Sequence, residues 1–414
     1  MDSIQLALYH FEQHNSDEAL KVIDDILLTA KDKEKYHVAY LLFDFGFIEN
    51  AQEIMEELLG NKPNKSMYKS LLADIYIELQ EDEKAIQLLH DILPADDEYL
   101  PSLLQLADLY QSQGLDEVAE EKLKEAKQRM PKEEIISLAL AELYFFNGEF
   151  NKCIPLYTEL SIDNKEIGGI LIADRLAEGY AAIGKYEEAL EYFKQIEVDE
   201  IDILFKHGLT AFYLERYQLA IQQWKKLLEL DPYYYTVYYY LGKAYYAENL
   251  FKEAEEIINE GLAFDEHNDE QFYLAAKIAN KQKQTKDAIR YIEEAIQLNP
   301  DHREYTIFYI TLLREHYRED EVILHLQKAL KNDLFDPIFE WELAKSYYEL
   351  DEFERAVKGY NEAYKYFEED AIFLHEYGYI LIEAGKVKEG KDILKQYLNF
   401  EPTDEDTIEF LSRL

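Results

Sequence analysis

The side chains of this sequence that are able to do chemistry are few. His10 and His14 stand four residues apart, the spacing of two zinc ligands on one helix face. The segment HFEQH places its glutamate one residue later than the H-E-x-x-H zinc motif does, and no third ligand can be named. Cys153 is the single cysteine, which excludes an intramolecular disulfide. We therefore predict no catalytic residues, no metal site and no cofactor.

Two series of regularly spaced charged residues indicate binding instead of catalysis. Four acids recur 34 to 36 residues apart, and three lysines follow at intervals of 34 and 68 residues: Asp74, Asp108, Glu142 and Glu178, then Lys243, Lys277 and Lys345. Because 86 acidic residues face 43 basic ones, lysines at these places are less expected than acids. Spacing this regular requires a repeated structural unit that gives each side chain the same setting.

Such a unit occurs twelve times along the chain. A mostly small residue, which we call position 8 of a 34-residue unit, recurs at Ala7, Ala39, Ala73, Ala107, Ala141, Ala177, Gly208, Gly242, Ala276, Ile310, Ala344 and Gly378. A second, mostly small residue follows twelve places later at position 20, and position 24 is apolar or aromatic in every unit. A period of about 34 residues with this internal register is typical of a helix–turn–helix repeat array.

The register also explains why each unit forms two packed helices. Spacings of three and four residues place the large apolar residues on one stripe of a helix. Small residues at positions 8 and 20 allow two antiparallel helices to approach closely. Proline occupies position 32 in five units, where it ends the second helix: Pro63, Pro131, Pro232, Pro300 and Pro402.

On these residues the chain resembles the tetratricopeptide repeat (TPR) family over essentially its whole length. Gly242 with Tyr245, Ala254 and Ile258 is one unit that is similar to ordinary members. The resemblance implies an all-α, right-handed superhelical solenoid of antiparallel helix pairs. It also implies that the first helix of each unit lines an inner groove, and that residues 403–414 form a capping helix.

In the family geometry, position 9 faces the groove, so the two charge series become two stretches of it. The acidic stretch would attract a basic segment of a partner. The basic stretch would hold acidic side chains or a terminal carboxylate, and it consists of Lys206, Lys243, Lys277, Arg314 and Lys345. The alternative is that these charges pair with their own neighbours, as Lys345 would with Glu342 or Glu349 one helical turn away.

Aromatic residues map to the same groove positions in units 7 to 9. They are Phe205, Phe212, Tyr213, Tyr239, Tyr240, Tyr246 and Tyr273. Large aromatic side chains give much contact area at low entropic cost, so they serve as recognition anchors. The alternative is that they belong to the core, as aromatic stripes on helices more often do.

The repeat is irregular in one place. Spacings of 36 and 31 residues flank the sixth unit, and Pro155 lies in the second helix of the fifth unit, which it should shorten or kink. We therefore predict an N-terminal sub-array, 1–168, and a C-terminal sub-array, 169–414, with a bend or hinge within 155–201. A tolerated change in loop length is the alternative.

Bulk properties narrow the class of function. A formal net charge of −43 repels nucleic-acid phosphates. The absence of a basic signal sequence and of a long apolar stretch favours a cytoplasmic chain that does not insert into membranes. We predict a non-catalytic adaptor or scaffold that binds an extended peptide or a partner protein. The alternative is a sensor whose superhelix compacts around a small peptide or ligand, and self-association is open.

Overall fold

The structure, a computed structural model, describes residues 3–331 and 336–414. The chain divides into two compact units, Met1–Val198 and Asp199–Leu414. This division lies inside the interval 155–201 but after the predicted boundary at 168/169. The predicted bend or hinge stays a prediction.

The N-terminal unit consists of six helix pairs. Its helices are α1 Ser3–Glu12, α2 Ser16–Leu27, α3 Asp32–Asp44, α4 Ile48–Asn61, α5 Ser66–Glu78, α6 Asp82–His90, α7 Tyr99–Ser112, α8 Asp116–Arg129, α9 Glu134–Phe146, α10 Phe150–Leu160, α11 Ile172–Ala182 and α12 Tyr186–Phe193. Each odd-numbered helix packs against the even-numbered helix that follows it, as the repeat predicts. Helix α10 continues through Pro155 and has 11 residues, compared with 14 in α8.

A short β-hairpin, which the all-α prediction did not include, precedes α11. Strands β1 Glu166–Ile167 and β2 Ile170–Leu171 pair in antiparallel register, with Ile167 opposite Ile170. The two residues of the turn, Gly168 and Gly169, both have positive φ, at 58° and 82°. Two successive residues of positive φ form the tight turn that joins hairpin strands, and glycine adopts this conformation without a steric cost.

The C-terminal unit consists of six further helix pairs and a last single helix. Its helices are α13 Ile201–Tyr213, α14 Tyr217–Leu230, α15 Thr236–Ala247, α16 Phe251–Phe264, α17 Asp269–Lys281, α18 Thr285–Leu298, α19 Arg303–Glu315, α20 Glu319–Lys331, α21 Pro337–Glu349, α22 Phe353–Phe367, α23 Ala371–Glu383, α24 Val387–Phe400 and α25 Glu405–Arg413. Neighbouring first helices also touch, for example α13 with α15 and α15 with α17. The predicted capping helix is α25, which packs against α24.

Complementary small and large residues hold each helix pair together. Every position-24 residue is at most 3% exposed, and the residues at positions 8 and 20 are buried in every repeat. Trp224, the largest of the position-24 residues, is fully buried and lies against Gly208 of the facing helix. This fit confirms the predicted register of small and large residues.

One turn residue per repeat has a left-handed backbone conformation, seven residues after position 8. Glycine fills this place in five repeats, and other residues fill it in seven: Gly46, Gly114, Gly148, Gly184 and Gly385, then His14, Gln80, Glu215, Asn249, Lys283, Tyr317 and Asp351. The left-handed residue ends the first helix and directs the chain into the second. His14 thus has a structural place in the repeat.

Two negative findings hold for the described ranges 3–331 and 336–414. No helix there is both long enough and apolar enough to cross a membrane. The same residues contain no cluster of three or more His, Cys, Asp or Glu side chains arranged to hold a metal ion.

Candidate functional site

Lys243 and Lys277 occupy the same repeat position on α15 and α17, and each lies over the tyrosine one helical turn before it. The Nζ atom of Lys243 is 4.9 Å from the centre of the Tyr239 ring, and that of Lys277 is 5.0 Å from the centre of the Tyr273 ring. Lys277 is also 5.8 Å from the Tyr246 ring. An ammonium group at this distance is attracted to the negative face of the ring, so the rings fix where the charge lies.

No carboxylate of the described residues pairs with either of these two lysines. In the part of the chain that the structure describes, neither Lys243 nor Lys277 has a carboxylate oxygen within 4.0 Å of Nζ. Both side chains are partly buried. Their ammonium hydrogens are therefore positioned by aromatic rings and remain available to an acceptor that a partner supplies.

The two lysines line a shared pocket of about 220 Å³, which we call the lysine pocket. Its lining residues are Tyr239, Lys243, Glu270, Tyr273, Leu274, Lys277, His302, Glu304 and Tyr305. The Tyr273 hydroxyl donates a hydrogen bond of 2.6 Å to Glu304, and the Tyr305 hydroxyl donates one of 3.0 Å to Asp269. Burial, with nearby carboxylates, raises the pKa of Tyr239 to about 12. The tyrosines are therefore neutral donors whose rings are held in place.

The other predicted aromatic residues divide between packing and exposure. Phe212 and Tyr240 contact Trp224 of the core, each with ring centres 5.9 Å apart, and Phe205 packs against Tyr240. Tyr213 is 53% exposed at the end of α13. The predicted cluster thus combines core residues with the tyrosines of the lysine pocket.

Lys206, the remaining basic residue of the series in this part of the unit, is partly buried on α13. It takes part in an interaction with the surrounding protein. For this reason we do not count it with Lys243 and Lys277.

Arg314 and Lys345 share an acidic partner, Glu342, and so follow the alternative of internal pairing. Arg314 forms an ion pair with the Glu342 carboxylate, and its Nη2 donates to the Glu342 carbonyl at 2.8 Å. Lys345 Nζ lies 3.3 Å from Glu342 and 3.3 Å from Glu376. Trp341 donates its indole hydrogen to Glu376 at 2.8 Å. The two cations belong to a network that joins successive repeats.

Half of the acidic series is likewise paired. Arg175 of α11 donates two hydrogen bonds to Glu142 of α9, at 2.9 and 3.1 Å, and lies 3.6 Å from Glu178. By contrast, Asp74 accepts a hydrogen bond from the neutral Gln105 and is partly buried without a cation among the described residues.

Asp108, the remaining acid of the series, is exposed on α7. Loss of hydration against the surrounding protein raises the pKa of its carboxyl group. Whether any of these acidic or basic residues contacts a partner stays a prediction.

Two residues of these networks, Arg175 and Glu376, were not named from the sequence, and Glu342 was named there only as a partner of Lys345 and not of Arg314. Each lies 28 to 33 residues from its partner, which is close to one repeat. Opposite charges separated by about one repeat length are the signal that would have found them.

Asp74 gives a prediction about pH. Burial raises its pKa to about 6, so the folded chain binds a proton more tightly than the unfolded chain, whose aspartates titrate near pH 3.9. The free energy of unfolding should therefore decrease as the pH rises through this window. We expect Asp74→Asn to be more stable than the wild type at pH 8, by about 1 kcal/mol after allowance for partial exposure.

Urea unfolding at several values between pH 5 and 8 measures this difference. The advantage of the Asp74→Asn variant should shrink towards pH 5, where the wild-type carboxyl becomes protonated. Glu78→Gln, which removes a charge from an exposed place on the same helix, is the control. An advantage that does not vary with pH would contradict the assignment.

Comparisons with known proteins agree with the repeat architecture. Two family profiles, described as YpiA-like tetratricopeptide repeats and as their C-terminal counterpart, match residues 111–164 and 337–404. General TPR profiles match residues 173–200, 211–278 and 272–302. Matches therefore fall in both compact units.

The chain is also similar to individual known proteins. The chain is 34% identical over 415 residues to the TPR repeat-containing protein YpiA of Bacillus subtilis (strain 168). The alignment covers 99% of this chain and 98% of that protein. The chain is 25% identical to BBSome complex member BBS4 of Bos taurus, over 72% of this chain and 60% of the relative. A solved structure of MamA from Desulfovibrio magneticus RS-1, residue 41 to the end, is 20% identical with a TM-score of 0.37, and covers 39% of this chain and 92% of MamA. Because the similarity to YpiA extends over nearly all of both proteins, the chain belongs to the YpiA family of TPR-repeat proteins.

Proposed function

We propose that this chain is a non-catalytic protein-interaction scaffold that binds a carboxylate-bearing segment of a partner protein at the lysine pocket. TPR proteins generally mediate interactions between proteins, which supports the class of function. The observation that carries the specific site is the pair Lys243 and Lys277: aromatic rings position both ammonium groups, and no carboxylate of the described chain occupies either.

The chemistry of the pocket favours an acidic side chain or a terminal carboxylate. A hydrogen bond between an ammonium group and a carboxylate contributes about 1.5–3 kcal/mol. Two such bonds, with contact to Tyr239 and Tyr273, support a binding free energy of about −8 kcal/mol, which corresponds to a dissociation constant near the micromolar level. Because the chain carries a net charge of −43, an acidic partner would have to be oriented so that its carboxylates meet these two cations.

The pocket is also small for a free metabolite. Its volume of about 220 Å³ lies below the roughly 300–1,000 Å³ of most small-molecule sites. One or two side chains of an extended segment fit such a volume better. This comparison supports a protein partner over a small ligand at this place.

The test compares partners captured by the wild type and by Lys243→Glu/Lys277→Glu. We expect the double variant to lose about tenfold or more in affinity, because two attractive charges become repulsive. Partners captured from native lysate are identified by mass spectrometry, and their affinity for both proteins is then measured with purified components. Circular dichroism establishes that the variant keeps its helical content.

Lys225→Glu/Lys252→Glu is the matched control. These lysines are exposed on the second helices α14 and α16, and their replacement changes the net charge by the same amount. A partner lost by the first variant and kept by the control supports the lysine pocket. The proposal fails if wild type and both variants bind the same partners with equal affinity.

A further inference from the structure

A larger pocket, of about 860 Å³, lies among α19 to α23 in the last three repeats, and we call it the tyrosine pocket. Its lining residues are Arg314, Tyr317, Glu319, Asp320, Lys345, Tyr348, Glu349, Leu350, Tyr360, His375, Glu376, Tyr379, Ile380 and Glu383. Its two cations, Arg314 and Lys345, are both engaged by Glu342, as described above. The charge offered to a ligand is therefore set by the carboxylates.

Three carboxylates of this lining are exposed: Asp320, Glu349 and Glu383. None of them has a basic partner within 4.0 Å among residues 3–331 and 336–414. Glu319 also lines the pocket, but its Oε1 lies 3.5 Å from Arg314 Nε, so it does not add to the unpaired charge. The pocket thus presents acidic groups that the chain itself leaves unneutralised.

Aromatic faces accompany these carboxylates. The Tyr348 hydroxyl donates a 2.6 Å hydrogen bond to Glu383, which places a ring and a carboxylate on one wall. Tyr379 also lines the pocket, from α23, the helix that carries Glu383. Tyr317 is 95% exposed, although it holds the left-handed turn position that is glycine in five other repeats. Its ring is therefore not used in packing among the described residues and is open to a ligand in the pocket.

Within this chain, a carboxylate and an aromatic ring together hold several arginine side chains. Arg175 is bound by Glu142 while its guanidinium lies 4.8 Å from the Phe145 ring. Arg129 pairs with Glu125 and lies 4.6 Å from the Tyr99 ring. A planar guanidinium is able to stack on an aromatic face and donate to a carboxylate at once.

We propose that the tyrosine pocket binds an arginine side chain from a basic segment of a partner protein. Asp320, Glu349 and Glu383 supply the charge, and Tyr317, Tyr348 and Tyr379 supply the aromatic faces. The net charge of −43 steers basic segments towards the chain, while the pocket selects the residue that is bound. This site is independent of the lysine pocket, which takes the opposite charge.

The test uses a fluorescein-labelled peptide of four Arg-Gly units, with a Glu-Gly peptide of equal length as the comparison, and measures fluorescence anisotropy. We expect Asp320→Asn/Glu349→Gln/Glu383→Gln to weaken binding of the arginine peptide about tenfold. Lys243→Glu/Lys277→Glu should leave it at least as tight, which separates this site from the lysine pocket.

Two further variants distinguish the pocket from general attraction to an acidic protein. Glu256→Gln/Glu294→Gln/Glu354→Gln removes three exposed acids from second helices and should weaken binding less than about twofold. Tyr317→Gly keeps the net charge and removes the left-handed tyrosine. It should weaken binding without lowering the thermal midpoint.

Several outcomes would overturn the proposal. One is equal weakening by both triple variants, which would mean attraction without a site. Another is wild-type protein that fails to bind the arginine peptide or binds the Glu-Gly peptide equally well. A third is concentration-dependent dimerisation, measured by light scattering, that only the pocket variant loses, because the occupant would then be a second copy of the chain.

Discussion

Replacing Gly208 with alanine is expected to destabilise the C-terminal unit by about 2 kcal/mol, because the added methyl group would overlap Trp224. A Cβ at this position would lie 2.3 Å from Trp224 Nε1 and 2.7 Å from two further ring atoms. Trp224 is fully buried, so its ring has little room to move. The better helix propensity of alanine, about 1 kcal/mol, offsets only part of the overlap.

A second substitution should rescue much of this loss. Repeats 3 and 4 combine alanine at position 8 with leucine at position 24, as in Ala73 with Leu89. Trp224→Leu alone leaves a cavity and should cost about 3 kcal/mol. We expect Gly208→Ala/Trp224→Leu to be less destabilised than the sum of the single variants, by about 2 kcal/mol.

Urea unfolding of the wild type, the two single variants and the double variant, followed by circular dichroism, measures the four free energies of this cycle. Gly60→Ala is the matched control, because nothing lies within 4 Å of an added Cβ at that helical position. It should leave stability unchanged or raise it by up to about 1 kcal/mol. If the losses in free energy of unfolding caused by the two substitutions simply add, the residue tolerated at position 8 does not depend on the residue at position 24.

Removal of Glu342 is expected to have an effect of similar size through charge. Its side chain is only 14% exposed and holds both Arg314 and Lys345. Glu342→Ala leaves two neighbouring cations without their common carboxylate. We expect a loss of about 2 kcal/mol, less than for a fully buried pair, because Arg314 and Lys345 keep contacts with Glu319 and Glu376.

Hydrogen exchange of peptides from α19 and α21 localises this effect. Protection should fall in both helices of the Glu342→Ala variant, since the network joins them across two repeats. Glu349→Ala, an exposed change at the end of the same helix, should alter stability by less than about 0.5 kcal/mol. Equal results for the two variants would mean that the network does not contribute to stability.

The helix pairs could be predicted because their information is local. Positions 8, 20 and 24 lie within one repeat, and their small or large size alone determines which faces meet. The hairpin at 166–171 was not predicted, although Gly168-Gly169 between Ile167 and Ile170 is a hairpin pattern. The segments on both sides have a strong helical periodicity, so the hairpin pattern of these six residues is easily overlooked.

The candidate site could be predicted only in part. Its lysines and tyrosines follow from repeat positions, but the free or paired state of each charge depends on side chains of the next repeat. Lys277 and Lys345 share one repeat position, yet Glu342 and Glu376 surround only the second. Considering one repeat position at a time therefore identifies the series of charged residues, but it does not show which of them remain unpaired within the chain.

The two kinds of contact also differ in what they encode about the order of the repeats. Gly208 and Trp224 belong to the same repeat, so a duplication that copies this segment copies a complete fit and packs wherever it is inserted. Arg314 and Glu342 belong to successive repeats, so their pairing is lost if either repeat is moved. Shuffled arrays of these units would keep their helix pairs and lose their charge networks. The polar residues thus determine which repeats can be neighbours, and the apolar residues determine how the two helices of one repeat pack.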